Sequence, residues 1–193
     1  MRNFLNLPRK RKEIMKGQTL TLLLLAATAL AGCIKEDTPE GTELGAGDAL
    51  PEFSIYMNDG SVLGTADLEG KVSLIMFFHT GCPDCREELP AVQQIYDTYG
   101  KDIVLCCISR EEGAEEIASY WTSQGLTLPW SAQTDRQVYN LFASLGVPRI
   151  YISSGDRKIY SAYSDNPVAT YGQLAADIEA CLGRLNQEAR DPS

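Results

Sequence analysis

A continuous apolar segment runs straight into two closely spaced cysteines. Residues 72–78, VSLIMFF, carry no charge, which is typical of a strand buried on both faces of a sheet. Three residues later comes the sequence CPDC, residues 82–85, and after it apolar residues recur at helical spacing. The pattern predicts a strand that turns into a helix, with Cys82 at the N-cap. Pro83 then occupies the first helical position, where the missing N–H of proline costs no hydrogen bond.

This position predicts different roles for the two cysteines. Backbone N–H groups and the helix dipole at the start of a helix favour a thiolate, which is the reactive form of Cys82. The charge of Asp84 opposes this effect by a similar amount, so the acidity of Cys82 stays open. Cys85 lies one turn further along, on the inner side of the helix, within reach of a disulfide. We therefore predict that Cys82 attacks the disulfide of a partner and that Cys85 resolves the mixed disulfide. This chemistry needs the Cys82–Cys85 pair and no bound cofactor.

Other uses of the cysteines were weighed on the same residues. A zinc site requires a second pair of ligands, but the only histidine is His79, and Cys106-Cys107 lacks the spacing of such a pair. The sequence therefore predicts no metal. A purely structural disulfide between Cys82 and Cys85 stays open. Cys106 and Cys107 on a predicted strand, and Cys181 on a predicted helix, are expected to be packing residues.

The N-terminus has the features of an export signal. Residues 1–32 contain six basic residues and then the apolar run Leu20–Leu30, which is too short to span a membrane and is typical of a signal peptide. The run ends in Leu-Ala-Gly-Cys33, which resembles a bacterial lipobox. That resemblance implies cleavage before Cys33 and attachment of lipid to its sulfur. An ordinary signal peptide stays open, as does Met15 as the true start.

Charge changes sharply after this segment. The chain has 17 basic and 26 acidic residues. Residues 1–32 hold six of the basic residues and one of the acidic residues, which leaves 11 basic and 25 acidic residues from position 33 onward. So acidic a protein is not expected to bind nucleic acid. Residues 33–48, rich in glycine and acids, are predicted to be a flexible tether. Lys35-Glu36-Asp37 resembles a surface-export signal, although a solvated linker is the favoured interpretation of these residues. With the lipobox, the predicted location is the cell envelope, lipid-anchored to a bacterial membrane and facing the periplasm or the cell surface.

The remaining residues, 49–189, are predicted to form one α/β domain. The pattern around Asn58-Asp59-Gly60 predicts a β-hairpin, and residues 102–109 predict a second buried strand. Helices are predicted within 111–125 and 135–146, an antiparallel strand pair around Gly155-Asp156, and a closing helix over 171–187. Together these elements predict a central mixed sheet flanked by helices, with an N-terminal hairpin.

The segment GKVSLIMFFHTGCPDCREELP, residues 70–90, resembles the active site of the thioredoxin superfamily. The whole domain is similar to membrane-anchored TlpA/ResA-type thiol-disulfide oxidoreductases, which are grouped with the redoxin and AhpC/TSA families. The resemblance implies a thioredoxin-like fold with a βα insertion over residues 101–124. It also implies a cis-proline loop at Val147-Pro148, where Val147 pairs with the substrate backbone and Pro148 shields the dithiol from metals. Gly81 and Met76 depart from the family, which usually has Trp and a buried acid there.

The resemblance further implies partners and an activity. The partners are client proteins with disulfides, which the protein reduces or isomerises, and a membrane thiol reductase that supplies electrons. His79 and Thr80 are candidates to support the thiolate or move a proton. Two alternatives stay open. One is a peroxiredoxin-like thiol peroxidase, although Thr80 stands two residues before Cys82 instead of three; the other is a non-catalytic thioredoxin-fold binding lipoprotein.

Overall fold

The computed structural model describes residues 42–190, which form seven strands and three α-helices. The strands are β1 (Ser54–Tyr56), β2 (Val62–Gly64), β3 (Ser73–Phe78), β4 (Val104–Ser109), β5 (Trp130–Ser131), β6 (Arg149–Ser153) and β7 (Ile159–Tyr163). The helices are α1 (Pro83–Tyr99), α2 (Ala114–Gln124) and α3 (Tyr171–Glu188). Short 3₁₀ turns cover Thr65–Leu68 and Tyr139–Leu141.

Five strands form one mixed sheet in the order β5-β4-β3-β6-β7. The central strand β3 is parallel to β4 and antiparallel to β6, and all six of its residues are buried. Its continuous apolar sequence follows from this position, because neighbouring strands and packed helices leave neither face in contact with water. Strands β1 and β2 pair separately as the predicted hairpin. The predictions of a mixed sheet and an N-terminal hairpin are confirmed.

Aromatic side chains fill the core beside β3. The ring of Phe77 lies 4.9 Å from that of Phe142 and 5.5 Å, edge to face, from that of Tyr139. The ring of Phe78 lies 4.9 Å from that of Trp121, which anchors α2. Aromatic pairs at these distances contribute about 0.5–1.5 kcal/mol beyond the area they bury. The strand that leads into the cysteines is therefore held rigidly.

The chain enters the fold through an extended segment, here called the N-terminal strap (residues 42–50). The backbone N–H of Gly47 donates to the carbonyl of Ile159 at 2.8 Å, and that of Leu44 donates to Phe142 at 2.9 Å. Part of the segment assigned to the tether is thus bonded to the domain, upstream of the predicted start at residue 49. The predicted signal peptide, Cys33 and the rest of the tether lie outside the described residues.

Across residues 42–190, none of the helices has both the length and the apolar character that a membrane crossing requires.

Two elements differ from the sequence-based expectation. The helix predicted over residues 135–146 is only a 3₁₀ turn at Tyr139–Leu141, because the packing of Tyr139 and Phe142 in the core decides this segment. The short strand β5 was not predicted. Only two residues long, it pairs in parallel with Cys107 and Ile108 of β4 and extends the sheet by one strand.

Candidate active site

The two cysteines lie where β3 turns into α1. Cys82 is the N-cap of α1, with extended backbone angles (φ −82°, ψ 123°), and Pro83 is the first helical residue. The turn is closed by a hydrogen bond of 3.0 Å from the N–H of Cys82 to the carbonyl of His79. The predicted strand–turn–helix setting of Cys82 is therefore present.

Cys82 meets the cis-proline loop, here residues 144–148. Its side chain is half-buried, and its Sγ donates a hydrogen bond of 3.2 Å to the carbonyl oxygen of Val147. The peptide bond between Val147 and Pro148 is cis. The CPDC motif and the Val147-Pro148 loop, which were predicted separately from the sequence, thus lie together in one site.

Cys85 lies behind Cys82 and is fully buried. Burial raises the pKa of its thiol well above the ordinary value. The hydrogen bond with Cys82 and the charges of Cys82 and Glu88 raise the pKa further, while the backbone of His79 opposes the shift. Both cysteines are free thiols in this structure. Cys85 therefore needs a proton acceptor before it can attack.

A carboxyl group lies on the same helix face as Cys85. Glu88 is three residues further along α1 and only 1% exposed. Its Oε1 accepts the backbone N–H of Ala169 at 2.6 Å, while its buried Oε2 has no hydrogen-bond partner among the described residues. Burial raises the pKa of Glu88 to about 7, although the Ala169 hydrogen bond opposes this shift. A carboxyl with such a pKa exchanges a proton readily near neutral pH.

Glu88 was missed in the sequence analysis, which looked for the acid at Met76. The available signal was periodicity. Cys85, Glu88 and Val92 share the apolar stripe of α1, so the spacing places Glu88 where a buried apolar residue belongs. A charged residue on a buried stripe costs stability unless it is paired or neutral, and it is therefore a candidate for function.

The turn before Cys82 is held by a second buried carboxylate. The N–H of Thr80 donates to Glu112 at 2.8 Å, and the Thr80 hydroxyl donates to the same carboxylate. On the other side, Nε of Arg86 donates to the carbonyl of Thr80, and the guanidinium lies 5.5 Å from the ring centre of Tyr120. Thr80 is thus a buried anchor of the turn, and Arg86 is more than a solvated surface residue.

His79 shapes the same turn through its ring. Its Nδ1 accepts the N–H of Gly81 at 2.9 Å. A Cβ atom on Gly81 would lie 3.1 Å from this nitrogen, which is tighter than ordinary packing. The closeness of the His79 ring accounts for glycine at position 81, where the thioredoxin superfamily usually has Trp.

The cis-proline loop is fixed by side chains on its inner side. The guanidinium of Arg149 donates to the carbonyl of Leu145, and the hydroxyl of Tyr139 donates to that of Gly146 at 2.6 Å. Leu145 itself points outward and is 74% exposed. The loop therefore presents a large apolar side chain from a rigid backbone next to Cys82.

The other described cysteines are far less accessible than Cys82. Cys106, Cys107 and Cys181 are at most 1% exposed. Burial raises the pKa of Cys106 to about 12 and that of Cys181 to about 11. Within residues 42–190, no group of three or more His, Cys, Asp or Glu side chains is arranged to hold a metal ion.

The sequence was compared with known families and proteins. The family model described as AhpC/TSA matches residues 46–162, more than half of the chain. The chain belongs to the AhpC/TSA family. A relative named thiol-disulfide oxidoreductase ResA, from Oceanobacillus iheyensis, is 26% identical over 148 residues, covering 74% of this chain and 77% of the relative. The prediction of a thioredoxin-like oxidoreductase of the ResA type is confirmed at this level.

Similar solved structures establish the fold. A putative protein disulfide isomerase from Bacteroides thetaiotaomicron superposes with a TM-score of 0.68 at 23% identity, covering 78% of this chain and all (100%) of that one. A thiol:disulfide interchange protein of the thioredoxin family from Chlorobium tepidum gives a TM-score of 0.62 at 22% identity, with coverages of 71% and 97%. The thioredoxin-like fold predicted from the sequence is confirmed.

Proposed function

We propose that this protein is an extracytoplasmic, lipid-anchored thiol-disulfide oxidoreductase that reduces or isomerises disulfides in client proteins. One arrangement carries the proposal. The half-buried Cys82 stands at the N-cap of α1 with its sulfur against the Val147 carbonyl, while Cys85 is buried behind it on the helix face of Glu88. One thiol is accessible and the other is protected until it is needed, as a two-step exchange requires.

In the first step the Cys82 thiolate attacks one sulfur of a client disulfide. A bond forms between Cys82 and that sulfur, the client S–S bond breaks, and the second client sulfur leaves as a thiolate that takes up a proton. The N–H groups at the start of α1 stabilise the attacking thiolate. Val147 offers backbone groups beside the sulfur, where an extended client segment can pair with them.

In the second step Cys85 resolves the mixed disulfide. Glu88 accepts the proton of Cys85, the resulting thiolate attacks the sulfur of Cys82, and the client leaves as a second thiolate that is protonated. Two electrons pass to the client, and the protein keeps a Cys82–Cys85 disulfide as its redox-active centre. A membrane thiol reductase then supplies two electrons to restore the dithiol. When the client has a wrongly paired disulfide, release before the second step leaves it free to isomerise.

The site offers less support for the alternatives. A thiol peroxidase polarises peroxide with a free threonine hydroxyl, but the Thr80 hydroxyl already donates to buried Glu112. A binding lipoprotein without catalysis leaves unexplained why a carboxyl with a pKa of about 7 shares a buried helix face with Cys85. Neither alternative is favoured by an observation of its own.

The location rests on the N-terminal sequence. The lipobox-like Leu-Ala-Gly-Cys33 supports lipid attachment at Cys33. In an oxidising compartment proteins form disulfides, which a dedicated dithiol protein reduces or isomerises. Acyl chains supply membrane attachment without a membrane-spanning segment. The strongly acidic composition supports proteins rather than nucleic acid as partners.

A trapping experiment tests the proposal. The Cys85→Ser protein should accumulate mixed disulfides with clients at Cys82, because the resolving thiol is gone, and these adducts should disappear on reduction. The Cys82→Ser protein serves as the control and should trap nothing. The wild type should reduce insulin when supplied with dithiothreitol, and both variants should lose this activity. A Cys85→Ser protein that forms no adducts, together with a wild type that leaves insulin oxidised, would refute the proposal.

A further inference from the structure

We infer that Glu43, in the N-terminal strap, is a positioning residue for the cis-proline loop and so for the recognition of clients. The inference rests on the proposed function, because it concerns how the same site holds its substrate. It assigns a role in the active site to a residue upstream of β1, the first strand of the fold. Glu43 precedes the AhpC/TSA match, which begins at residue 46.

Glu43 contacts the loop at both ends. Its carboxylate accepts the backbone N–H of Ser144 at 3.1 Å and the Ser144 hydroxyl at 2.8 Å. The other oxygen lies 3.5 Å from the guanidinium of Arg149. Ser144 and Arg149 bracket the segment that contains Val147. A single exposed ion pair is worth little, but here one carboxylate joins a backbone amide, a hydroxyl and a guanidinium.

A continuous set of contacts leads from Glu43 to the nucleophile. The guanidinium that faces Glu43 also donates to the carbonyl of Leu145, which fixes the first half of the loop. Two residues further on, the carbonyl of Val147 accepts the Cys82 thiol. Loss of Glu43 takes away the acceptor of Ser144 and the charge that faces Arg149, so the loop backbone gains freedom at the residues that a client segment would contact.

The strap itself is held independently of Glu43. The N–H of Leu44 donates to Phe142, that of Gly47 to Ile159, and that of Leu50 to Arg157, at 2.8 to 2.9 Å. The carboxylate of Glu43 is 46% exposed. A substitution at Glu43 therefore removes the contact with the loop without removing the strap or opening the core, which makes the inference testable in a folded protein.

The test compares a large client with a small disulfide. Reduced wild type, Glu43→Ala and Glu43→Gln are mixed with increasing insulin, and their oxidation is followed in single turnovers. This gives a half-saturating insulin concentration and a maximal rate. The same proteins are mixed with hydroxyethyl disulfide, which is too small to span the loop. The control is Glu52→Ala, which removes another exposed glutamate, two residues after the strap, that lies 3.3 Å from Arg157 and away from the loop.

We expect Glu43→Ala to raise the half-saturating insulin concentration about fivefold, the typical effect of a lost hydrogen bond. Its rate with hydroxyethyl disulfide should equal that of the wild type. Glu43→Gln keeps the acceptor for Ser144 but loses the charge facing Arg149, so its half-saturating insulin concentration should lie between those of the wild type and Glu43→Ala. The half-saturating concentration of Glu52→Ala should match that of the wild type.

Two results overturn the inference. One is an unchanged half-saturating insulin concentration in Glu43→Ala. The other is an equal loss with insulin and hydroxyethyl disulfide, which would indicate a general structural role. Failure of the proposed function looks different, because the wild type itself would then react with neither disulfide.

Discussion

The thiol of Cys82 donates to the carbonyl oxygen of Val147 at 3.2 Å, across 65 residues of sequence. A thiolate cannot donate a hydrogen bond, so ionisation of Cys82 ends this contact. The Val147 carbonyl is then free to accept a backbone N–H from a client. In the proposed function, loss of this proton both activates the sulfur and exposes the carbonyl that pairs with a client segment.

The accessibility of the sulfurs predicts a strict order of alkylation. Iodoacetamide should modify Cys82 first among the five described cysteines, because the other four are at most 1% exposed and burial raises their pKa. Mass spectrometry of peptides after brief exposure of the reduced protein measures the order. In urea the five should react alike. Equal labelling of Cys82 and Cys181 in the folded protein would contradict the described burial.

Glu88 should control both resolution and the pH dependence of stability. The native pKa of Glu88 is about 7 against an ordinary 4.5, so the folded state binds a proton that the unfolded state has lost. The contribution of Glu88 to stability is greatest below about pH 4.5 and is lost as the pH rises through 7, by up to about 3 kcal/mol. Glu88→Gln should abolish this fall, as measured by urea unfolding at a series of pH values.

The same variant should also prolong the mixed disulfide with a client, because Cys85 loses its proton acceptor. The matched control is Glu87→Gln, an exposed neighbour on α1, which should keep both the pH dependence and the lifetime of the wild type. A Glu88→Gln protein that resolves mixed disulfides at the wild-type rate across pH 6–8 would exclude Glu88 as the acceptor.

Most of the sheet was predictable because its signals are local. The apolar runs of β3 and β4, the Asn58-Asp59-Gly60 turn and the amphipathic stripe of α3 each specify their own structure. The 3₁₀ turn at Tyr139–Leu141 was not predictable from local signals, because tertiary packing of Tyr139 and Phe142 decides the structure of that segment. The strand β5 forms by pairing with β4, and a two-residue segment carries no signal of its own that predicts such pairing.

The site was predictable only where the residues that carry the chemistry are neighbours in the sequence. CPDC and Val147-Pro148 are such cases, and the structure brings them into contact. Glu112 lies 32 residues from Thr80 in sequence, and Glu43 is 101 from Ser144. Partnerships of this kind depend on the fold bringing distant loops together, so the sequence gives no signal of which polar pairs will meet.

The bond between Thr80 and Glu112 should stabilise the turn before Cys82. Thr80→Val removes a buried hydroxyl donor, and Glu112→Gln removes the charge that accepts it. Each should lower the free energy of unfolding by about 1–3 kcal/mol, because buried polar groups lose a partner. In a double-mutant cycle from urea unfolding, the double variant should cost clearly less than the two single effects combined. Additive effects would mean that the two residues act separately.

Leu145 should set the affinity for clients without affecting the chemistry. Its side chain is 74% exposed, so Leu145→Ser should leave the free energy of unfolding within about 0.5 kcal/mol of the wild type. Complete burial of a leucine is worth about 1.5–3 kcal/mol, so partial burial against a client predicts a half-saturating insulin concentration raised about fivefold.

Val62→Ser is the matched control for Leu145, since Val62 is 55% exposed but lies on the hairpin strand β2. It should bind insulin as the wild type does. The rate with hydroxyethyl disulfide should be the same in all three proteins, because the small disulfide reacts with Cys82 without covering Leu145. If Leu145→Ser and Val62→Ser weaken insulin binding equally, the effect comes from general surface hydrophobicity, and the outward position of Leu145 on the cis-proline loop has no part in recognition.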